Sequence, residues 1–370
     1  MSRIRVCQLI TELAPAGAER CVYELSRRLD KGRFDVQVVA LRGGQVADWL
    51  TEAGVKVTVL GVRGKWDIGK LAPLTGLLRR ERIELLHTHL FHADLAGRLA
   101  GSLAAVQHLV HTIHIAEGRF RPWQFAFARL LSERCERLIC VSPSARDWHA
   151  RHSGLPLGRY TVIPNGIDVQ AFSRDDQSRR RLRAEWGLND DEVLIVFVGR
   201  LDHQKGIDTL LGAMSHLSAR GNPKSLVIAG DGPERPMVET FVSHGEGGRH
   251  CRWLGFRRDV REVLSAGDIF AMPSRWEGWP LAIGEAMAAG LPVAATQARG
   301  ITDVVTDGET GLLVEREDVV GFAEALNRLA GDANLRERLG AAGKQHITRT
   351  YSIDENIAAH QRLYADVVGA

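Results

Sequence analysis

The sequence predicts an α/β protein built from two doubly wound parallel sheets. Short apolar runs alternate with helical patterns along almost all of the 370 residues. Apolar strands joined by crossover helices form parallel sheets that are covered on both faces. The chain is also about twice as long as a typical domain. Its 38 glycines and 6% aromatic residues suit a fold with many tight turns between strands and helices.

The first predicted sheet has seven strands. The corresponding apolar runs are Ile4–Ile10, Val36–Leu41, Val55–Leu60, Leu85–His89, Leu109–Ile115, Leu138–Val141 and Thr161–Ile163. Helical patterns between these runs lie at Ala18–Leu29, Ile68–Arg82, Ala93–Ala105 and Pro122–Glu133. We therefore predict a Rossmann-like first domain over residues 1–168.

A polar and basic stretch over residues 172–187 then interrupts the alternation. The apolar runs that follow it are Val193–Gly199, Ser225–Ala229, Arg252–Phe256, Ile269–Met272, Pro292–Thr296 and Gly311–Val314. They predict a second domain over 169–348, followed by a C-terminal helix over 349–370 that packs back toward the first domain. Such sheets bind ligands at the carboxyl ends of their strands. We expect the two sheets to face each other across a cleft, with the candidate chemistry directly after the strands.

The overall composition excludes several classes of protein. A net charge of +3 gives little support to nucleic-acid binding. No apolar run approaches the ~18 residues of a membrane-spanning helix. Polar residues interrupt the apolar N-terminus, which favours a first strand over a signal peptide. The five cysteines form no C-x-x-C pair and predict reduced thiols in a cytoplasmic protein.

The strongest motif lies at residues 272–285, directly after an apolar strand. Pro280 suits the first turn of a helix, and the free N–H groups of such a turn attract phosphate. These N–H groups belong to Leu281, Ala282 and Ile283. Glu277 before the helix and Glu285 inside it would bracket a phosphate-linked, hydroxyl-rich ligand.

Two further loops carry groups that suit an anionic ligand. Arg200 and Lys205 follow another apolar strand, and together they could stabilise the charge on a leaving pyrophosphate. Two solvated cations on a surface loop are the alternative. Gly17 follows the first strand and lets the backbone approach a phosphate or sugar closely, although a plain helix-start turn would also explain it.

Together these segments resemble the donor site of the retaining GT-B glycosyltransferases of family 4, the glycosyl-transferases group 1 domain. Glu277 and Glu285 match the E-x7-E motif of that family, while Arg200 and Lys205 match its G-R-x(4)-K-G segment. Other matches are Gly230–Pro233, Pro164–Asp168 and Leu254–Phe256. The resemblance covers most of the chain and is densest from residue 160 to residue 315.

The resemblance implies that the donor is a nucleoside-diphosphate sugar, most often UDP-linked, held by the second domain without a metal or other cofactor. Glu285 would bind the ribose, Glu277 the sugar hydroxyls, and Arg200 with Lys205 the diphosphate. The remaining donor-site residues would be Gly17, Gly230, Phe256, Gly278, Pro280, Leu281 and Ala282. A glycan or lipid-linked acceptor would bind the first domain, and the anomeric configuration would be retained.

Several histidines lie between residues 87 and 114. His87 and His89 form an H-x-H pair of a kind that can bind metal, yet no carboxylate or cysteine spacing completes a metal site. His114 lies at the end of a predicted strand and matches a family histidine near the reacting sugar, so it is a candidate catalytic residue. His89 is the next candidate, on the acceptor side. For both residues, a structural role in the core is the alternative.

The segment 119–131 combines aromatic and basic residues. On a helix that begins at Pro122, one apolar stripe would pack into the core. That stripe consists of Trp123, Phe127, Leu130 and Leu131. Phe120 and Phe125 lie off the stripe and near Arg121, which indicates a surface for the acceptor or for an anionic membrane.

The leading interpretation is a retaining glycosyltransferase of polysaccharide or glycoconjugate biosynthesis, cytoplasmic and peripheral at the inner membrane face. A sugar-nucleotide epimerase on the same fold and a non-catalytic sugar-nucleotide-binding protein are the alternatives. The intact pair of acidic residues, Glu277 and Glu285, favours transfer over both. Redox and kinase functions are disfavoured because no strand precedes a G-x-G-x-x-G motif and no G-x(4)-G-K-[ST] motif is present.

Overall fold

A computed structural model describes residues 3–64, 68–114 and 120–369 of the chain. The chain divides into two compact units. The first unit contains Met1–Asn165 and Asp354–Ala370, and the second contains Gly166–Ile353. The predicted strand end at Ile115 lies outside the described residues. The roles predicted for the two domains, acceptor binding for the first and donor binding for the second, remain predictions.

The first unit is built on a parallel sheet. Its strands are β1 (Ile4–Glu12), β2 (Phe34–Arg42), β3 (Lys56–Val59), β4 (Leu85–His89), β5 (His108–Ile113), β6 (Arg137–Cys140) and β7 (Tyr160–Val162). The strand order is β3-β2-β1-β4-β5-β6-β7. The chain adds β2 and β3 on one side of β1 and then crosses over to place β4 on its other side. The order in which strands are added therefore reverses between β1 and β4. Ligands of doubly wound sheets bind at such a switch point.

The second unit repeats this plan with a smaller parallel sheet. Its strands are β8 (Leu194–Val198), β9 (Ser225–Ala229), β10 (Cys251–Trp253), β11 (Ile269–Met272), β12 (Val293–Thr296) and β13 (Gly311–Val314). The strand order β10-β9-β8-β11-β12-β13 places the switch point between β8 and β11. The prediction of two doubly wound parallel sheets is confirmed.

The helices alternate with these strands. They are α1 (Gly17–Arg28), α2 (Val46–Glu52), α3 (Leu71–Arg80), α4 (Phe91–Ala104), α5 (Pro122–Leu130), α6 (Pro143–Ser153), α7 (Asp176–Glu185), α8 (Ile207–Ala219), α9 (Arg235–His244), α10 (Val260–Ala266), α11 (Leu281–Ala288), α12 (Val319–Gly331), α13 (Ala333–Thr350) and α14 (Ile353–Val368). The sequence analysis did not identify α2 and α6, and α2 is too short for a clear helical period. In the described ranges, every helix is too short or too polar to cross a bilayer.

Helices cover both faces of each sheet, and the central strands are therefore fully buried. All residues of β8 are buried, as its uninterrupted apolar sequence predicts. Strand β4 is also fully buried, although it contains His87, Thr88 and His89. Buried polar side chains need hydrogen-bond partners inside the protein, so this strand requires a polar network around it.

The C-terminal helix α14 supplies part of that network. Its Tyr364 is fully buried, and its ring meets the edge of Phe34 with 5.9 Å between the ring centroids. The Tyr364 hydroxyl accepts a hydrogen bond of 2.9 Å from Nε2 of Gln8 on β1. Except for its first residue, α14 therefore belongs to the first unit.

The basic stretch over residues 172–187 is not simply a linker, because it forms α7 and packs against α10. Arg183 is only 1% exposed, and its guanidinium contacts Asp268 at 3.1 Å and the carbonyl oxygen of Asn189. Arg179 pairs with the other oxygen of Asp268 at 2.8 Å. Arg179 and Arg183 of the arginine run are thus internal structure, whereas Arg180 and Arg181 are exposed.

We predict that Arg183→Ala destabilises the second unit by about 3 kcal/mol, because the substitution leaves buried carbonyl and carboxylate oxygens without their partner. Arg180→Ala, one turn away on the exposed face, should change the free energy of unfolding by less than about 0.5 kcal/mol. Urea unfolding of both variants measures the difference. Equal losses would contradict the structural role of Arg183.

Candidate functional site

The candidate site of the second unit lies at the carboxyl ends of β8 and β11, the strands that flank its switch point. Because these strands are neighbours in the sheet, the loops that follow them also lie side by side. One loop carries Arg200 and Lys205, and the other carries Glu277. Two motifs separated by about 70 residues in sequence are thereby brought together.

The central contact is an ion pair between Lys205 and Glu277. Nζ of Lys205 donates to Oε1 of Glu277 over 2.6 Å. The side chains are 18% and 6% exposed, so water screens the pair only weakly. The hydroxyl of Ser274 also donates to Oε1 over 2.8 Å, and the Gln204 amide lies 3.3 Å from Oε2. Glu277 is therefore held in a fixed orientation.

Arg275 and Gln204 tie the same two loops together through their backbones. The backbone N–H of Arg275 donates to the carbonyl of Gln204, whose side-chain amide donates back to the carbonyl of Trp276. The Arg275 guanidinium binds Asp208 at 2.6 Å and Glu317 at 2.7 Å. Hydrogen bonds from Arg275 lower the pKa of Asp208 below its usual value. Sequence analysis missed these residues.

Two glycines allow these loops to approach closely. Gly206 has a φ of +63°, and an added β-carbon would lie 2.1 Å from the carbonyl oxygen of Pro273. Gly300 follows β12 with a φ of +83°, and an added β-carbon there would lie 2.5 Å from the carbonyl oxygen of Glu277. A side chain at either position would push the loop around Glu277 out of place.

Helix α11 follows the Glu277 loop and begins at Leu281, one residue later than predicted. Pro280 occupies the N-cap, and its carbonyl accepts from the N–H of Ile283 over 3.0 Å. The expectation that the Ile283 N–H is free is therefore wrong. Within the described residues, no acceptor lies at the N–H groups of Leu281 and Ala282. Glu285 lies about one turn further along and is buried.

The loops after β9 and β10 continue this edge of the sheet. An added β-carbon at Gly230 would lie only 1.8 Å from the carbonyl oxygen of Gly199, so these loops are in backbone contact. The N–H of Gly230 donates to the carbonyl of Gly255 over 2.8 Å. Phe256 follows with 47% of its surface exposed. An exposed aromatic ring thus stands two strands away from the Lys205–Glu277 pair.

The other predicted residues of this unit occupy different environments. Arg200 is 53% exposed, and its Nε lies 3.5 Å from Asp202, so it reaches solvent rather than Glu277. Gly278 is buried between Glu277 and the buried Trp279. An added β-carbon at Gly284 would lie 2.7 Å from the Trp279 ring. The space beside Gly284 is therefore filled by protein.

The first unit carries its own group of polar residues at the carboxyl edge of its sheet. Gly17 is exposed at the first position of α1, directly beyond β1. His89 ends β4 and is 2% exposed, and both of its ring nitrogens are hydrogen-bonded within the protein. His114 follows β5 and is half-buried, with Nε2 lying 2.9 Å from Nδ1 of His89. These residues surround the switch point of the sheet.

The H-x-H pair is used for hydrogen bonding within the first unit. The nitrogens of His87 contact the hydroxyls of Tyr364 and Thr112, each at 2.6 Å. Burial lowers the pKa of His87 well below the usual histidine value, so the ring is neutral. In the described part of the chain, His, Cys, Asp and Glu side chains form no group of three or more that could hold a metal ion.

The sequence predicted the wrong buried face and the wrong exposed face for helix α5. Phe125 is 7% exposed and packs against Trp148 of α6, whereas Trp123 is 49% and Leu130 is 74% exposed. Phe120 stacks on Phe125 with 5.3 Å between the ring centroids. The orientation of α5 is set by its contact with α6, which the helical period alone does not reveal. Arg121 is exposed at the N-cap of α5.

The two units have the architecture of GT-B glycosyltransferases. The crystal structure of Anabaena Alr3699/HepE in complex with UDP-glucose matches with a TM-score of 0.89, covering 98% of this chain and 100% of that chain at 20% identity. Sucrose-phosphate synthase from Thermosynechococcus elongatus matches with a TM-score of 0.84, covering 99% and 100% at 20% identity. The fold class inferred from the sequence is thereby confirmed.

Sequence comparisons define the family. Residues 178–346 match the glycosyl transferases group 1 family, and residues 15–171 match glycosyltransferase family 4. D-inositol 3-phosphate glycosyltransferase of Xylanimonas cellulosilytica is 30% identical over 93% of this chain and 90% of that protein. UDP-Gal:alpha-D-GlcNAc-diphosphoundecaprenol alpha-1,3-galactosyltransferase of Escherichia coli is 26% identical over 99% and 98%. This chain belongs to the group 1 glycosyl transferases of family 4 and is a glycosyltransferase, as the motifs predicted.

We predict that Gly206→Ala destabilises the second unit more than Gly221→Ala does. Both glycines have positive φ values, +63° and +71°, but Gly221 has no atom within 4 Å of an added β-carbon. Gly221→Ala should cost about 1–2 kcal/mol from backbone strain alone. Gly206→Ala should cost roughly 1–3 kcal/mol more from the clash with Pro273. Urea unfolding compares the two, and equal losses would show that the loop contact is unimportant.

Proposed function

We propose that this glycosyltransferase transfers a sugar from a UDP-sugar to a hydroxyl acceptor with retention of anomeric configuration, and that the second unit binds the donor. The observation that carries the proposal is the buried Lys205–Glu277 pair beside the N-terminus of α11. It combines a cation, a fixed carboxylate and free backbone N–H groups within one set of loops. These are the groups that a sugar diphosphate requires.

The diphosphate is bound by positive charge from two sources. Nζ of Lys205 has three N–H donors, and one of them serves Glu277, so the others can bind phosphate oxygens. The N–H groups of Leu281 and Ala282 add the positive end of a helix dipole. The Arg200 guanidinium is exposed, and it can bind the phosphates from the solvent side of the site. Because these charges stabilise the leaving diphosphate, the reaction proceeds without a metal ion.

Glu277 positions the sugar and stabilises charge as it develops at the anomeric carbon. Its Oε1 already accepts bonds from Lys205 and Ser274, which lowers its nucleophilicity. This arrangement supports attack of the acceptor on the same face as the departing phosphate over a covalent intermediate on Glu277. Retention of configuration follows from that geometry.

Glu285 and Phe256 bind the nucleoside. A buried carboxylate one turn inside α11 can accept hydrogen bonds from both ribose hydroxyls, and an exposed ring beyond β10 can stack on a base. A uracil base is supported by the relatives, because the HepE crystals contain UDP and UDP-glucose and the E. coli relative is named for UDP-Gal. Neither these names nor the site favours an epimerase.

The acceptor binds the first unit, where Phe120 and Arg121 are the candidate contacts. The E. coli relative is named for a diphosphoundecaprenol-linked sugar, which supports a lipid-linked acceptor. The outer face of α5 suits a membrane surface, since Trp123 and Leu130 are exposed near Arg121, Arg129 and Arg134. We propose that this face of α5 associates with the cytoplasmic face of an anionic bilayer.

Nucleotide-dependent thermal stabilisation tests the donor assignment. UDP at ~100 times its Kd should add about 2.7 kcal/mol of stability, and ADP should add much less. Glu285→Gln should weaken UDP binding roughly tenfold or more, because a charge-assisted hydrogen bond contributes about 1.5–3 kcal/mol. Glu324→Gln, on the exposed face of α12, is the control. Unchanged UDP affinity in Glu285→Gln would refute its ribose role, and no UDP effect at all would refute the proposal.

Vesicle sedimentation tests the membrane surface. Replacing Trp123 and Leu130 together by Ser should reduce binding to phosphatidylglycerol vesicles at least tenfold, since each large apolar side chain contributes about 1.5–3 kcal/mol on burial. The control replaces Leu157, which is 57% exposed elsewhere in the first unit. Equal vesicle binding by both variants, or none by the wild type, would contradict a role for α5 at the membrane.

A further inference from the structure

A continuous chain of hydrogen bonds crosses the first unit and ends at His114. Nε2 of His114 lies 2.9 Å from Nδ1 of His89, and Nε2 of His89 lies 2.7 Å from Oε1 of Gln8. Nε2 of Gln8 donates to the Tyr364 hydroxyl over 2.9 Å. That hydroxyl lies 2.6 Å from Nδ1 of His87. The chain therefore links the C-terminal helix α14 to the switch point of the sheet.

The members of this chain are shielded from water. Gln8, His87 and Tyr364 are fully buried, and His89 is 2% exposed. Burial is the main cause that lowers the pKa of His89 well below its usual value and that of His114 to about 3. Both rings are consequently neutral near pH 7. A neutral imidazole has one N–H donor and one acceptor nitrogen, so each ring must adopt one of two tautomers.

The orientation of the Gln8 amide decides which tautomer each histidine adopts. Since Nε2 of Gln8 donates to Tyr364, Oε1 of Gln8 is the acceptor that faces His89. His89 must then carry its proton on Nε2, which leaves its Nδ1 as an acceptor. His114 must in turn donate from Nε2. The remaining nitrogen of His114, Nδ1, is left as an acceptor.

Tyr364 supplies the acceptor that holds the Gln8 amide in this orientation. Its hydroxyl has a single proton and lies between the Gln8 amide and Nδ1 of His87. Because it accepts from Gln8, its own proton is available to Nδ1 of His87, and the other nitrogen of His87 can then donate to Thr112 across 2.6 Å. Reversing the Gln8 amide would require every bond in the chain to reverse as well. The buried Tyr364 hydroxyl thus restrains the ring of His114, to which it is linked through Gln8 and His89.

We propose that Tyr364 is a positioning residue that, through Gln8 and His89, holds His114 in the tautomer with an unprotonated Nδ1, and that this Nδ1 accepts a hydrogen bond from a substrate hydroxyl. Among the described residues, no protein group lies within hydrogen-bond distance of Nδ1 of His114. His114 is half-buried, whereas the other members of the chain are buried. The second part of the proposal rests on the proposed function, because the resemblance to the family makes His114 a candidate contact of the reacting sugar.

The experiment combines imidazole nitrogen NMR with turnover. Full-length protein labelled with ¹⁵N-histidine is recorded at pH 7, and a His114→Asn variant assigns the His114 signals. We expect a proton on Nε2 of His114 and none on Nδ1. Turnover is followed as UDP release from UDP-galactose and UDP-glucose in the absence of an added acceptor. Tyr364→Phe should give His114 signals from both tautomers and lower kcat on the order of tenfold, with KM little changed.

Tyr160→Phe is the matched control. Tyr160 is also a buried tyrosine of the first unit, and its hydroxyl lies 2.8 Å from Nδ1 of His149 and 2.9 Å from Ser153. Its removal should lower stability to a similar extent and leave the His114 tautomer and kcat unchanged. If Tyr364→Phe does not fold, Gln8→Met, which interrupts the same chain at similar volume, takes its place with the same expected result.

Each outcome has a defined meaning. A proton on Nδ1 of His114 in the wild type would overturn the proposal, as would Tyr364→Phe with both tautomer and kcat unchanged. A shifted tautomer with unchanged kcat would overturn the role of Nδ1 toward substrate. Stabilisation of the wild type by UDP reports separately on the second unit. Its absence, together with no UDP release, would count against the proposed function while the NMR result still tests the hydrogen-bond chain.

Discussion

The proposed donor site depends on the ion pair between Lys205 and Glu277. Neither charge is stable in this largely buried position without a partner, so the two loops that carry them must stay together. Ser274 and Gln204 complete the hydrogen bonding of Glu277, while Gly206 and Gly300 permit the close backbone approach. Contacts between neighbouring loops then extend along the carboxyl edge to Gly230 and Gly255. Loops after five adjacent strands form one connected rim around the pair.

The first unit carries different polar groups at the equivalent place in its own sheet. Its switch point lies between β1 and β4, and the polar residues there are neutral histidines and Gln8 rather than an ion pair. A neutral network orients hydroxyl groups without attracting phosphate. The charged rim of the second unit suits a sugar diphosphate, and the neutral edge of the first suits sugar hydroxyls. The two sheets of the same plan therefore carry two candidate sites of different chemistry.

Sequence reasoning identified the strands, the family and the two motifs, because these depend on local patterns and on short spacings. It missed Arg275 and Gln204, whose importance arises from contacts between loops that are distant in sequence. It also assigned the wrong faces of α5, since Trp148 of α6 determines that Phe125 is buried. The hydrogen-bond chain from Tyr364 to His114 joins residues more than 200 positions apart, and no spacing rule predicts such a contact.

A double-mutant cycle on Lys205 and Glu277 tests the central claim most directly. UDP release from a UDP-sugar is measured for Lys205→Met, Glu277→Gln and the double variant. Each single substitution should lower kcat on the order of 10²-fold, as for loss of one preorganised charged group. If the two side chains act as one unit, the double variant will lose little more than either single variant. Independent losses that multiply to about 10⁴-fold would contradict the account.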